Sequence, residues 1–218
     1  MSSSSDDSPS PALLTLFRAI ASGDRSVAAR LLVETPLLAR EALVVGASRE
    51  SPNSYFFERI SHYVYAGDTA LHVAAAAYDV QLTKALLASG ASASAKNRRG
   101  AEPLHYAADG IPGSGAWQPD AQAEVVRLLV GAGANPNATD NSGVAPLHRA
   151  VRTRCAAAVR ALLHNGADPI AKNKSGSTPL QLAKQDTGRG GSGSAQAREQ
   201  QQQIVQLLLD HGKIETSS

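Results

Sequence analysis

Three histidines recur at one position of a repeated pattern, and their type could indicate a metal site. His72, His105 and His148 each follow a leucine, in "TALHVAA", "EPLHYAA" and "APLHRAV". They are separated by 33 and 43 residues, which places them on successive helical units about 10 Å apart. A zinc–nitrogen bond is only about 2 Å long, so the three imidazoles cannot share one ion. We therefore predict no metal site.

Two other features could carry chemistry. Cys155 is the only cysteine and could act as a nucleophile, but the sequence gathers no base or oxyanion site around it. The glycine-rich "GRGGSG" lacks the Lys-Ser/Thr ending of a phosphate-binding loop and follows a predicted helix rather than a strand, so a flexible linker is the better interpretation. We predict that the chain is not an enzyme and has no cofactor.

The composition narrows the class of protein further. A formal net charge of +2 argues against nucleic acid or an anionic membrane as a partner of the whole molecule. A single cysteine excludes an intramolecular disulfide, which fits a reducing compartment. No apolar run approaches the roughly 18 residues of a membrane span, and the serine-rich start does not resemble a secretory signal. We expect a cytoplasmic protein without a membrane segment.

The chain is built from copies of one unit. Four segments align, beginning at Gly67, Gly100, Gly143 and Gly176: "GDTALHVAA", "GAEPLHYAA", "GVAPLHRAV" and "GSTPLQLAK". The prolines fit a first helical turn, and the small residues that follow allow close helix packing. A second helix is predicted in each copy, ended by Gly90, Gly133, Gly166 or Gly212. A fifth copy, "LFRAIASGDRSVAARLL", precedes these four.

This 33-residue period, with its T-P-L-H and L-L-x-x-G-A signatures, resembles the ankyrin repeat over about residues 12 to 213. The resemblance implies an all-α solenoid of stacked helix-turn-helix units. Hairpin-like loops, here called fingers, join each unit to the next, and the histidine would tie neighbouring fingers by hydrogen bonds. The predicted repeats are 12–43, 67–99, 100–142, 143–175 and 176–213, with insertions at 44–66, 109–121 and 186–198 and disordered ends at 1–11 and 214–218.

The resemblance also implies a binding surface, because such arrays bind proteins through a concave face formed by the fingers and the inner helices. The residues predicted on it are Tyr65, Asp68, Arg98, Arg99, Asp109, Asn141, Ser142, Arg152, Thr153, Lys174 and Ser175. The cations Arg98, Arg99, Arg152 and Lys174 would lie along one groove and suit an acidic or phosphorylated segment. That they are ordinary solvated charges stays an open alternative.

The insertions are the most individual parts of the sequence. The first contains "SYFFERISHYVY" and holds most of the aromatic residues, namely Tyr55, Phe56, Phe57, Tyr63 and Tyr65. They either cover the first repeats or expose a binding surface, and we favour the covering role. Trp117, in the second insertion, either pins its loop to nearby helices or is a second contact point, and we favour pinning. The third insertion has no apolar anchor and is expected to be mobile.

The most direct hypothesis is a monomeric adaptor that binds another protein through the concave surface. Two alternatives remain: a regulatory or inhibitory subunit that uses the aromatic insertion 53–66, and a small-ligand sensor. Neither nucleic acid nor a membrane is expected as a partner. The scaffold itself does not identify the partner, since one fold serves many recognition functions.

Overall fold

The computed structural model describes residues 10–50, 53–185 and 194–215 and confirms an all-α repeat solenoid. In this part of the chain, each repeat contributes an inner and an outer helix that pack together and against the next repeat. The helix pairs are α1 (Pro11–Ser22) with α2 (Arg25–Glu34), α3 (Ala70–Ala76) with α4 (Val80–Ala88), α5 (Pro103–Ala108) with α6 (Pro119–Gly131), α7 (Pro146–Arg152) with α8 (Ala156–His164), and α9 (Pro179–Lys184) with α10 (Ala195–Glu215).

Most inner helices begin at a proline and bury small residues against their neighbours. Proline opens α5, α7 and α9, where a missing N–H costs no hydrogen bond. The alanines of these helices are buried, which lets neighbouring backbones approach closely. Gly90, Gly133 and Gly166 follow the outer helices with φ of +84°, +94° and +83°, as predicted for helix ends. Gly212 differs, since α10 continues through it to Glu215.

The recurring histidines link one repeat to the next. Nδ1 of His72, His105 and His148 accepts from the backbone N–H three residues earlier, at 3.1, 3.1 and 3.3 Å. Nε2–H then donates to a carbonyl of the following finger: Ala101 O at 3.2 Å, Val144 O at 3.1 Å and Ala171 O at 3.1 Å. In the last repeat Gln181 Oε1 accepts the equivalent N–H, from Thr178, at 2.9 Å. The structural role expected for these histidines is confirmed.

The fingers form a continuous ladder of backbone hydrogen bonds. Arg98 N–H donates to Ala66 O at 2.7 Å, Asn141 N–H to Arg99 O at 2.9 Å, and Lys174 N–H to Ser142 O at 3.2 Å. Each finger therefore holds the next in register, which fixes the spacing of the side chains at their tips.

The first insertion folds into a small antiparallel hairpin, here called the aromatic hairpin (residues 56–63). Its strands are β1 (Phe56–Phe57) and β2 (His62–Tyr63), with Phe56 opposite Tyr63 and Phe57 opposite His62. A 3₁₀ turn, Glu58–Ile60, connects the strands, and two further 3₁₀ turns, Pro36–Ala39 and Asn53–Tyr55, precede them. Val64 N–H donates to Tyr55 O at 2.9 Å, which extends the hairpin by one pairing toward the fingers.

Some segment boundaries differ from those predicted. Ser10 caps α1, which begins at Pro11, within the segment predicted to be disordered; residues 1–9 lie outside the described residues. Residues 186–193 of the third insertion and 216–218 of the tail also lie outside them. The remainder of that insertion is ordered, because Ser194 caps α10 at Ala197 N and Ala197 is fully buried. The expected lack of an apolar anchor is therefore wrong for residues 194–198.

The histidine links predict a pH-dependent stability. Burial, followed by the charge of Arg149, lowers the pKa of His105 from 6.5 to about 4. The unfolded chain therefore binds a proton that the folded chain does not between these values, and stability should fall as the pH falls through this window. Between about pH 7.5 and 4.5, His105 should contribute a loss of about 2.5 kcal/mol in the free energy of unfolding.

The variant H105Q, which places at this position the amide found natively at Gln181, should reduce that loss when urea unfolding is compared at the two pH values. The exposed His164→Gln is the control and should follow the wild type within about 0.5 kcal/mol. An H105Q protein with the full wild-type pH dependence would contradict the assignment.

Candidate functional site

The finger tips present a row of positive charge. In the four fingers (64–68, 94–101, 137–144 and 170–177), the exposed ionisable side chains are all basic: Lys96, Arg98, Arg99, Lys172 and Lys174. The two acids of these fingers, Asp68 and Asp140, turn inward and accept hydrogen bonds from within the protein. The cations lie on the second and fourth of these fingers, so a partner that approaches this edge meets positive charge at two places and no exposed acid between them.

Several of these side chains are held in place. The guanidinium carbons of Arg98 and Arg99 lie 5.3 and 5.0 Å from the centroid of the Tyr65 ring, within cation–π range. Arg99 Nη1 also donates to Tyr65 Oη at 2.9 Å, and Arg98 Nη2 donates to Ala47 O. Lys174 Nζ donates to Asn141 O at 2.8 Å. The basic groups thus lose less side-chain entropy on binding than free ones would.

Seven of the predicted binding residues lie together on this edge, and we call them the finger row. Asn141, Ser142 and Ser175 are exposed beside the cations. Asn141 Nδ2 donates to Arg98 O at 3.0 Å, which joins two fingers through a side chain. The full set is Tyr65, Arg98, Arg99, Asn141, Ser142, Lys174 and Ser175.

Asp68 does not belong to the binding surface, and its predicted role is corrected. The residue is 0% exposed. Its carboxylate accepts from Tyr106 Oη at 2.7 Å, Asn97 Nδ2 at 2.9 Å and the Tyr65 N–H at 2.7 Å. Burial, followed by the nearby Asp68, raises the pKa of the Tyr106 phenol well above its usual value, so the phenol stays a donor. Asp68 therefore organises the first finger from inside.

Asp109, another residue predicted on the binding surface, forms an ion pair within the protein. Arg149, on α7, donates from Nη1 to Asp109 Oδ2 at 3.0 Å and from Nη2 to Asp140 Oδ2 at 3.1 Å. The side chains of Arg149, Asp109 and Asp140 are 12%, 19% and 11% exposed, so these ion pairs are only partly open to solvent. His62 Nε2 lies 3.9 Å from the same Asp109 oxygen. Burial lowers the pKa of His62, although Asp109 acts in the opposite direction.

The aromatic hairpin covers part of the inner-helix surface. The His62 ring packs against Tyr106 of α5 with centroids 4.4 Å apart and the rings inclined by 50°, and Tyr55 and Phe57 pack against the core. The inner-helix part of the expected concave site is therefore partly occupied by the chain itself. The covering role favoured for the insertion agrees with these contacts, but Phe56 and Tyr63 are exceptions, at 36% and 38% exposed.

Three residues of this region, His62, Tyr106 and Arg149, were not predicted from the sequence. Tyr106 and Arg149 occupy the position that follows each repeat histidine, where other copies hold Val73 and Leu182. Two polar residues at a position otherwise apolar were a signal that something packs over the inner helices. No pattern in the sequence indicated that His62 would pack against these inner helices.

Trp117 is anchored to the helices by a relay of hydrogen bonds. Its Nε1 donates to Gln122 Oε1 at 3.0 Å, and Gln122 Nε2 donates to Ala107 O at 2.9 Å and to Asp109 O at 3.1 Å. Trp117 is half-buried against the core. This geometry agrees with the pinning interpretation.

The two structured insertions face each other across a cleft of about 760 Å³. The hairpin turn, from Arg59 to His62, lies on one side and Ser114 to Gln118 on the other. Arg152 and Thr153, half-buried, line this cleft instead of the finger row, so their placement with the finger cations is corrected. Cys155, beneath the loop, is fully buried, and burial raises the pKa of its thiol to about 11. The thiol is therefore protonated at neutral pH.

Within the described residues, no group of three or more His, Cys, Asp and Glu side chains could hold a metal ion. The same part of the chain contains no helix that combines the length and the apolar character needed to cross a bilayer.

Arg149 should be essential for stability. Removal of its guanidinium leaves two largely desolvated carboxylates without their countercharge, so R149L should lower the free energy of unfolding by about 3 kcal/mol in urea titrations. R127L, which breaks the exposed pair with Glu124, should cost less than about 0.5 kcal/mol. An equal decrease in the free energy of unfolding for R149L and R127L would mean that the ion pairs of Arg149 stabilise the fold no more than an exposed pair does.

Gly110 should be needed for the Trp117 loop. A Cβ at this position would lie 2.7 Å from both Cys155 Sγ and Tyr78 Oη, and 3.3 Å from Trp117 Cδ1. G110A should therefore cost about 1–3 kcal/mol and shift the emission of Trp117, the only tryptophan, to longer wavelength. G115A is the matched control, because a Cβ there meets nothing within 4 Å. An unchanged G110A spectrum would contradict the close packing.

Comparison with known proteins agrees with this architecture. A family model described as "Ankyrin repeats (many copies)" matches residues 122–183, and the model "Ankyrin repeat" matches residues 66–98 and 99–141. No curated protein matches the chain. Ankyrin repeats generally mediate protein–protein interactions, and the proteins that contain them are typically non-catalytic scaffolds. The matches run from residue 66 to 183, more than half of the 218 residues, and the chain belongs to the ankyrin-repeat family.

Proposed function

We propose that the chain is a non-catalytic scaffold whose finger row binds an acidic segment of another protein. The observation that carries this proposal is the sign of the exposed charges: the second and fourth fingers carry five exposed cations, and none of the four described fingers carries an exposed acid. Opposite charge on a partner would steer its approach and discriminate against basic competitors.

The spacing of the fingers determines how a partner would use these charges. Successive repeats lie about 10 Å apart, whereas exposed charges are screened within about 8 Å at physiological salt. A single carboxylate would therefore interact with one finger at a time. An extended segment with several carboxylates is the occupant that uses the whole row.

The pre-ordered cations make such a contact more favourable than isolated surface pairs. An exposed ion pair contributes less than about 1 kcal/mol, partly because two long side chains must be ordered. Here Tyr65 already orders Arg98 and Arg99, and Asn141 orders Lys174. Much of the side-chain entropy of these cations is therefore already lost in the free protein.

Charge reversal tests the proposal. Fluorescence polarisation would follow a labelled Glu-rich Gly/Ser peptide binding to the wild type and to R98E/R99E/K174E. The variant should lose affinity by at least about 30-fold at low salt, since three attractive contacts become repulsive. Wild-type affinity should also fall as salt is raised.

The matched control is R18E/K84E/R160E, which has the same net charge but alters exposed cations on α1, α4 and α8. It should lose less than about threefold, and circular dichroism melts should show that both triple variants are folded. An equal loss of affinity in the two triple variants would indicate that the peptide is attracted to the charge of the whole molecule, and it would contradict the finger-row assignment. Capture from native lysate with the same three proteins would then identify a physiological partner.

A further inference from the structure

We infer that the exposed pair Phe56–Tyr63 and the cluster Tyr65–Arg98–Arg99 form one recognition surface, which binds a bulky apolar side chain followed closely by carboxylates. This inference rests on the proposed function and specifies the class of segment that the finger row binds.

The alternation of the strand places the two parts on one face. His62 packs against Tyr106 and Val64 is fully buried, so both point inward. Tyr63 and Tyr65 therefore point outward, two residues apart, which corresponds to about 7 Å along an extended chain. Tyr65 is the residue that holds both arginines, so the aromatic pair and the cations are neighbours.

Residues other than the aromatic pair attach the hairpin to the core. Val64 is buried, and Tyr55 and Phe57 pack against the core from the same insertion. Phe56 and Tyr63 instead contact each other with their rings inclined by 46° and centroids 4.7 Å apart, and both remain more than one-third exposed. Large aromatic side chains held rigid at a surface are typical of interface hot spots.

The charges give the surface a direction. Arg98 and Arg99 lie beside Tyr65, on one side of the aromatic pair. The exposed acid of the hairpin, Glu58, lies in the turn on the other side. The same turn contains the exposed Arg59, so its two charges offset each other, whereas the fingers keep a net positive charge that attracts a partner's carboxylates.

These distances predict a spacing in the partner. In an extended segment the apolar anchor and the first carboxylate should be about two residues apart. The Lys174 finger is two repeats farther along, at about 20 Å, which requires about six more residues. A segment with an anchor, a nearby acidic pair and a later acidic pair would contact the whole surface.

A double-mutant cycle with synthetic peptides tests this inference. The probe is a Gly/Ser peptide with one Trp, a Glu pair about two residues later and a second Glu pair about six residues beyond. Its reference peptide has Ser in place of Trp. Binding of both would be measured to the wild type and to F56T/Y63T, whose threonines preserve the strand propensity.

On the wild type, the Trp peptide should bind about tenfold more tightly than the Ser peptide, and on F56T/Y63T this advantage should fall below about twofold. The Ser peptide should bind both proteins equally, because it uses the cations alone. The control V33S/L37S, which removes two exposed apolar side chains elsewhere, should keep the full Trp advantage.

The outcomes separate this inference from the proposed function. Acidic peptides that bind through the fingers with no Trp advantage would overturn the inference alone. Failure of every acidic peptide to bind would overturn both. A single-stranded oligonucleotide that binds more tightly than the Trp peptide, and loses affinity in F56T/Y63T, would show that the aromatic pair stacks on bases and would also overturn it.

Discussion

The hydrogen bond from each inner-helix histidine to a carbonyl of the next finger is the constraint on which the rest of the structure depends. It links the interior of one repeat to the exposed edge of the following one. The same imidazole accepts a hydrogen bond from the backbone N–H at the start of its own helix and donates one to a backbone carbonyl of the next finger. Burial keeps the ring neutral, and a neutral ring with one donor and one acceptor fits both partners. The finger ladder, and with it the spacing of the cations at the tips, follows from this link.

The aromatic hairpin changes how the array can be used. In a regular array the inner helices and the fingers are available together, whereas here His62 lies on Tyr106 and the neighbouring Asp109 is paired with Arg149. Buried charges are tolerated only when they are paired and hydrogen-bonded, and Arg149 meets that condition by bridging two carboxylates. The consequence is that the surface left open for a partner lies farther out, at the finger tips and the outer face of the hairpin.

The sequence could predict the repeats because their signals are local. The 33-residue period, the Leu-His pairs and the glycines after the outer helices each depend on a few neighbouring residues. Finger-tip residues such as Arg98 and Lys174 could be placed by their position within a repeat. Asp68 could not, because its burial depends on Tyr106 and Asn97, which lie 38 and 29 residues away. The contact of His62 with the inner helices was equally hidden, since it is set by how a non-repeating insertion folds back.

Charge and apolar contact affect different steps of binding to a surface of this kind. Long-range attraction accelerates encounter and weakens with salt, but it discriminates poorly among acidic segments. A desolvated aromatic contact acts mainly on the dissociation rate, and it requires the right side chain at the right distance. The row of cations alone would bind many acidic proteins weakly. Tyr63 lies two residues before Tyr65 on the same side of an extended segment, so the proposed aromatic contact would make a general electrostatic edge selective for one kind of segment.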